Sequence, residues 1–309
     1  MHRFGRRARS LLAAIGLHLK RSRIAQFPAA RCLIDLVLWP SDAWKVCSTY
    51  RRAFDRVPRL LRPRTFTERL QRAKLLNRKA RHIVYADKIA VREYVAAKVG
   101  AQYLTDVFWI GTDIRRAQEK RLPSRFVVKA NHASGANIVV TDVLRFDWDA
   151  AHRLTRQWLQ DDYSARFAEW QYRWIEPRLF VEEFLANGRG IVPADYKFFC
   201  FHGRAEIVQV DCDRFTNHTR SLYDREFNLL PVALYYARPK KGIHAIARPE
   251  CFNEMRDVAE RLADREPFLR VDLYDAGKPV FGELTLHPQA GLGHFEPPDW
   301  DMIFGRLLS

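Results

Sequence analysis

The sequence lacks any apolar run long enough to cross a bilayer. Its longest stretches, Leu11–Leu17 and Cys32–Trp39, are broken by His18, Lys20 and Asp35, well short of the roughly 20 residues a membrane-spanning helix requires. No transmembrane span is expected. The small residues of a signal-peptide cleavage site are also missing after Leu17, where His18, Leu19, Lys20 and Arg21 stand. The expectation is therefore a cytoplasmic protein. Cysteine is scarce: Cys32, Cys47, Cys200, Cys212 and Cys251 form an odd set without a C-x-x-C pair, which fits neither a disulfide framework nor a zinc site. Small buried thiols in a reducing compartment are expected instead. Internal repeats and low-complexity tracts are absent. What remains is ordinary globular composition, 48% hydrophobic and 28% charged over 309 residues, enough to bury one large core or two modest ones.

Acidic residues are rare at one end only. Met1–His82 holds 21 Lys/Arg against 4 Asp/Glu, whereas the rest holds 31 against 32. The net charge of +16 thus belongs to the N-terminal region. Such a block attracts an anionic membrane surface or an acidic polysaccharide, or forms a solvated helical face. A nucleic-acid partner is not expected. The region is read as a docking element that takes no part in chemistry, with peripheral attachment at the inner face of the membrane.

Residues 1 to about 100 carry helical spacing. Thr65 with Glu68 predicts a capped helix to Asn77, and Tyr85–Val99 a second helix ended by Gly100. Strands are predicted over 103–111, 125–129 and 138–142, and residues 146–175 read as helical and aromatic. From Leu179 onward the texture turns to short β-segments, 179–185, 196–201, 205–210, 269–274 and 280–286, with a helix over 249–266. A hairpin is predicted at His202-Gly203. The fold class is α+β with an antiparallel sheet.

Four features carry chemistry. Lys129 ends an apolar strand and precedes Ala130-Asn131-His132-Ala133-Ser134-Gly135-Ala136, where small side chains let backbone N–H groups approach a polyphosphate. Leu179–Leu185 runs into the paired carboxylates Glu182 and Glu183. Asp195 and Lys197 share one face of a strand, so that an acceptor and a donor reach one ligand. Arg270, Asp272, Glu283 and Thr285 lie on two strands around the turn Asp275–Lys278. Period-two alternation gathers them on one face, as hard oxygen ligands suited to Mg²⁺ with an arginine for a developing oxyanion.

In this order the pieces resemble the ATP-grasp superfamily. The stretches Ala86-Asp87-Lys88, Lys129–Gly135, Asp195–Phe201, Asp211–Arg220 and Phe281-Gly282-Glu283-Leu284-Thr285 are similar to its TupA-like branch, named for teichuronopeptide synthesis. Thr285 stands where the superfamily usually has asparagine, and Ala133 where branch members show glycine. The resemblance implies an ATP-grasp fold in which a basic helical region (1–82) precedes a small lid subdomain (83–178) and a large subdomain (179–309). It implies ATP and Mg²⁺ as cofactors, with Lys88, Lys129, Ser134 and Gly135 at the phosphates, Glu182, Glu183 and Leu185 at the adenine, and Asp195 at the ribose with Lys197 beside it. Asp272, Glu283 and Thr285 would ligate metal, and Arg270 with Lys129 would act in catalysis. The implied activity is ligation of a carboxylate to an amine through an acyl phosphate, in cell-surface polysaccharide or peptide-polymer synthesis. Two other classes stand beside it: a glycosyltransferase-like protein, for which Asp211-Cys212-Asp213 is the one local D-x-D match, and a basic binding protein with a decayed ATP site. The run Asp211–Arg220 reads equally as an acceptor pocket or a capped loop. His132 and His287 read as supports of the phosphate loop and metal strand.

Overall fold

The computed structural model describes residues 28–186, 193–212, 219–236 and 246–309. It opens with helix α1 (Pro28–Phe54) and α2 (Phe66–Leu76). The predicted cap is present: Glu68 N donates to Thr65 Oγ1 at 3.3 Å, and Thr65 N to Glu68 Oε2 at 3.4 Å, the reciprocal bonds of a capping box. The helix expected over Tyr85–Val99 comes instead as two, α3 (Arg81–Ala86) and α4 (Val91–Lys98). Asp87 is the reason. Its Oδ1 accepts from Ile89 N at 2.9 Å and Ala90 N at 3.2 Å, a local side-chain turn that competes with helix continuation.

Two antiparallel sheets follow. The smaller contains β1 (Val107–Gly111), β2 (Phe126–Ala130), β3 (Asn137–Val140) and β4 (Leu179–Glu183), in the order β1-β4-β2-β3. One face is covered by α5 (Trp148–Gln160), with Trp148 and Trp158 packed against Phe126, Val128, Leu179 and Val181. A short helix α6 (Ser164–Phe167) and a 3₁₀ turn at Trp170–Trp174 lead into β4. The strand expected to open the large subdomain thus belongs to the small sheet, because Leu179 and Val181 complete that core.

The larger sheet runs β10-β9-β5-β6-β7, from β5 (Asp195–Phe201), β6 (Arg204–Cys212), β7 (Thr219–Asp224), β9 (Phe268–Asp275) and β10 (Pro279–Thr285). The pair β8 (Ala233–Leu234) and β11 (Phe295–Glu296) lies beside it, with α7 (Phe252–Ala263) and α8 (Asp299–Leu307). β5 and β6 turn at His202-Gly203, where both φ values are positive, 50° and 84°, as a tight hairpin requires. Tyr196, Phe198 and Cys200 pack with Tyr85, Val91, Val95, Phe252 and Met255. The alternate residues Phe199 and Phe201 pack with Phe66, Leu70 and Phe304. Helices α2 to α4 therefore cover both faces of the large sheet. Residues expected to split between an N-terminal region and a lid at His82/Ile83 pack instead against the two faces of one sheet.

Helix α1 is joined to this body by buried charge. Arg173 Nη1 donates to Asp35 at 2.7 Å, Arg173 Nη2 to Asp42 at 2.8 Å, and Arg78 Nη2 to Asp42 at 2.7 Å. Charges this buried persist only when paired. Residues 1–27 lie outside the described part. Among the described residues no helix is long and apolar enough to cross a membrane.

Candidate functional site

The two sheets face each other across a cleft of about 380 Å³. Lys129, Glu182, Glu183 and Leu185 line the small-sheet wall, Ser134 and Gly135 the loop after β2, and Asp195, Lys197, Asp272 and Glu283 the large-sheet floor. Lys88 enters from the break between α3 and α4. Arg270 and Thr285 form the next rung of that floor, beyond the cleft lining but in contact with it. The residues singled out in sequence thus converge from six separate segments.

On the small-sheet wall Lys129 forms an ion pair with Glu182. Thr105 Oγ1 donates to Glu182 Oε2 at 3.1 Å, and Arg92 Nη1 reaches that hydroxyl at 3.2 Å. Glu183 is exposed, and its N–H is already given to Asp106 O at 2.9 Å. Val127, Val139, Phe184, Leu185, Tyr274 and Phe281 make this end of the cleft apolar, suited to a flat aromatic base.

The loop is held by Asn131, which is fully buried. Its Nδ2 donates to Asp87 Oδ1 and to Glu176 O, each at 3.0 Å, while Oδ1 accepts from Arg178 N at 2.8 Å. Asp87 therefore breaks the helix, presents Lys88 and anchors the loop at once. Lys88 Nζ donates to Ala133 O at 2.8 Å and lies 3.6 Å from Glu283. Gly135 has φ 76°, and a Cβ there would meet nothing within 4 Å. Its role is conformational, since left-handed φ is costly for other residues. His132 Nε2 lies 3.0 Å from Trp158 O, and burial pushes its pKa down. A neutral imidazole tying the loop to α5 is scaffold, as expected.

The floor is two adjacent rungs across three strands. Lys197 pairs with Asp272 and Asp272 with Glu283; Phe199 pairs with Arg270 and Arg270 with Thr285. Neighbouring strands lie about 4.8 Å apart, so each rung brings its side chains into contact. Arg270 grips Asp272 with Nε and Nη2, both at 2.7 Å, and Nη2 reaches Thr285 at 3.1 Å and Glu283 at 3.3 Å. Lys197 donates to Asp195 and, at 2.8 Å, to Asp272. Burial pushes the Asp272 carboxyl up, against the charges of Arg270 and Lys197. At Glu283 burial also opposes ionisation, but Lys88, Arg270, Lys197 and Lys129 hold the carboxyl down to about 2.

Two carboxylates and a hydroxyl are an oxygen donor set for Mg²⁺ that leaves room for phosphate oxygens, the usual way that ion is held. Among the described residues no three His, Cys, Asp or Glu side chains form a metal cage. A bound phosphate would have to complete the coordination. His287 is scaffold just beyond the end of β10: its Nδ1 lies 3.6 Å from Glu169. In the run Asp211–Arg220, residues 213–218 lie outside the described part. Asp211 itself is buried and accepts from Arg220 Nε at 2.6 Å and Gln209 Nε2 at 3.0 Å, which ties the first carboxylate of the D-x-D match into the sheet.

Thr105 and Tyr274 were not singled out in sequence, and Arg92, Asn131 and Phe281 were read only as members of motif stretches, without a role. Thr105, Arg92 and Asn131 reach the site through residues far along the chain, a relation no local pattern carries; Tyr274 continues the site face of a strand already recognised, whereas a bulge before Glu283 pairs Phe281 with Leu273 and turns it to the opposite, core-packed face.

Solved structures similar to this chain include an L-amino acid ligase from Bacillus licheniformis (13% identity, TM-score 0.42, 74% of this chain and 50% of that one). A D-alanine–D-alanine ligase from Bacillus anthracis complexed with ATP (14%, 0.38, 66% and 55%) and an ADP complex of N5-carboxyaminoimidazole ribonucleotide synthetase (12%, 0.37, 66% and 45%) are similar too. The chain spans about half the length of each. No curated protein matches it. Residues 68–309 match the family described as TupA-like ATPgrasp, a span that takes in both sheets and every residue of the cleft, and the chain belongs to that family.

Proposed function

We propose that this protein is an ATP-dependent carboxylate–amine ligase acting through an acyl phosphate, in cell-surface polysaccharide or peptide-polymer synthesis. The observation that carries the reading is the rung Lys197–Asp272–Glu283 with Lys88 3.6 Å from Glu283 and Lys129 on the facing wall of the cleft: an oxygen donor set and two phosphate-seeking cations lining one nucleotide-sized space. A decayed site has no reason to keep this charge buried, since unpaired remnants would destabilise the fold.

ATP lies with its base in the apolar slot near Phe184, Leu185, Tyr274 and Phe281, and with its ribose at Asp195. Lys88 and Lys129 would hold the phosphates over the loop Ser134-Gly135, while Asp272, Glu283 and Thr285 would hold Mg²⁺. A metal held there would supply charge neutralisation at the transferring phosphoryl group. A substrate carboxylate, oriented in line, becomes the acyl phosphate as ADP leaves, and an amine then displaces phosphate. Arg270 stabilises the negative charge that develops at the carbonyl oxygen. The unit closing over the nucleotide comprises the small sheet and its covering helix α5. The basic N-terminal region holds this cytoplasmic enzyme to an anionic membrane surface or acidic polysaccharide.

Incubation with Mg-ATP and carboxylate–amine pairs should release ADP and phosphate, with oxygen from a labelled carboxylate appearing in the phosphate. Release of AMP would assign adenylation and overturn the reading. Within the site, Lys129→Met keeps the apolar stem but removes the ammonium and leaves Glu182 to repel phosphate. Nucleotide affinity should weaken by about 1.5–3 kcal/mol, the range for hydrogen bonds to charged groups. Calorimetric titration with ATP reads this directly, and unchanged affinity would move the phosphates away from Lys129.

A further inference from the structure

Helix α1 buries Ile34, Leu38, Asp42, Val46 and Tyr50 at four-residue spacing, so its opposite face is equally defined. That face reads Leu33, Leu36, Val37, Pro40 and Trp44. Leu33, Leu36, Val37 and Trp44 are 65%, 68%, 50% and 51% exposed. A helix on a globular protein normally turns charged residues outward, and a contiguous apolar face left in water marks an interaction surface. The stripe continues into charge: Arg51 falls on the same face, and Arg51 and Arg52 end the helix exposed. Beyond them Val57 and Leu61 stand exposed among the exposed arginines Arg56, Arg59, Arg62 and Arg64.

A second copy of the chain would satisfy the apolar stripe but would bring together two regions that each carry 21 Lys/Arg against 4 Asp/Glu, a repulsive encounter. An anionic bilayer satisfies both halves of the pattern, taking leucine, valine and tryptophan into the headgroup boundary and pairing the arginines with lipid phosphates. We propose that the outward face of α1 docks this protein on an anionic lipid surface. This narrows the anionic partner of the proposed function to lipid. It uses none of the cleft residues, so a failed docking test and a failed ligase assay are separate outcomes.

Flotation of the full chain with phosphatidylcholine vesicles, with and without phosphatidylglycerol, tests it. The protein should float with the anionic vesicles, less as salt rises. Replacing Leu33, Leu36 and Trp44 together by serine should reduce binding more than about tenfold, given the transfer free energy of each side chain, with ADP release from ATP unchanged. Arg51→Glu with Arg52→Glu should independently remove most of the salt-sensitive binding, which covers the case of a triple variant that folds poorly. Failure of the wild type to float, or equal flotation of both variants, would overturn the proposal. So would binding only to an acidic polysaccharide, or light scattering that shows a dimer abolished by the serine substitutions.

Discussion

Glu283→Gln is expected to reduce Mg-dependent ADP release about a thousandfold or more while leaving thermal unfolding nearly unchanged. The carboxylate is a metal ligand in the proposed site, and a metal at a transferring phosphoryl group contributes several kcal/mol to the transition state. Its structural role is small by comparison. The side chain is about a third exposed, and its contacts with Lys88 and Arg270 are at 3.6 and 3.3 Å, so the pairs contribute little net stability in water. The pH behaviour follows from the same charges. With its carboxyl held down to about 2 from an ordinary 4.5, the small stability that Glu283 contributes is complete above about pH 4.5 and is lost as pH falls toward 2. It is therefore ionised throughout the working range, and any acid limb of the rate profile above about pH 3 comes from another group. Asp272 differs. Its carboxylate neutralises both Arg270 and Lys197 inside the protein, so Asp272→Asn leaves Lys197 with Asp195 alone and Arg270 with Glu283 alone, and should cost about 3 kcal/mol of stability as well as activity. From the sequence one expects its removal to relieve repulsion between two acids; the surrounding cations reverse that sign. Steady-state ADP release and calorimetric unfolding on both variants separate the effects, and full activity in Glu283→Gln would remove the metal assignment.

The convergence of the cleft residues was legible because strand alternation is a strict rule. Once Arg270, Asp272, Glu283 and Thr285 are read on two strands joined by a short turn, one face must collect all four, and the register does so with Asp272 opposite Glu283. The capped start of α2 was readable for the same local reason. Sheet membership was not. Leu179–Glu183 has no mark of its own to distinguish the small sheet from the large one, and only its pairing with β1 and β2 decides. The break at Asp87 was likewise hidden, since the apolar spacing on either side continues across it and a single aspartate side chain overrides it. Helix α8 went unread although Phe304 fills the core beneath Phe66 and Phe199. The seam between α1 and the 3₁₀ turn, built by Arg173, Asp35 and Asp42, joins residues more than a hundred positions apart, where charge in a basic region reads as solvated surface.

Arg270→Lys keeps the charge and isolates the geometry. The guanidinium spans both oxygens of Asp272 with Nε and Nη2, and the same Nη2 reaches Thr285 and Glu283, a planar fork that an ammonium cannot reproduce. Asp272 would keep a counter-charge, so the fold should lose only about 1 kcal/mol, the net value of an ordinary hydrogen bond. Catalysis should lose far more. If Arg270 stabilises charge that appears only as the carbonyl is attacked, kcat falls about 10²–10³-fold, the usual effect of removing one oxyanion donor, while KM for ATP changes little because the ground state does not use that interaction. A purely structural Arg270 gives the opposite pattern, with lowered unfolding temperature and weakened nucleotide binding as Asp272 drifts, but near-normal kcat at saturation. The comparison of kcat with KM in Arg270→Lys therefore decides the role, and retention of kcat would reassign Arg270 from the reacting carbonyl to the support of the metal strand.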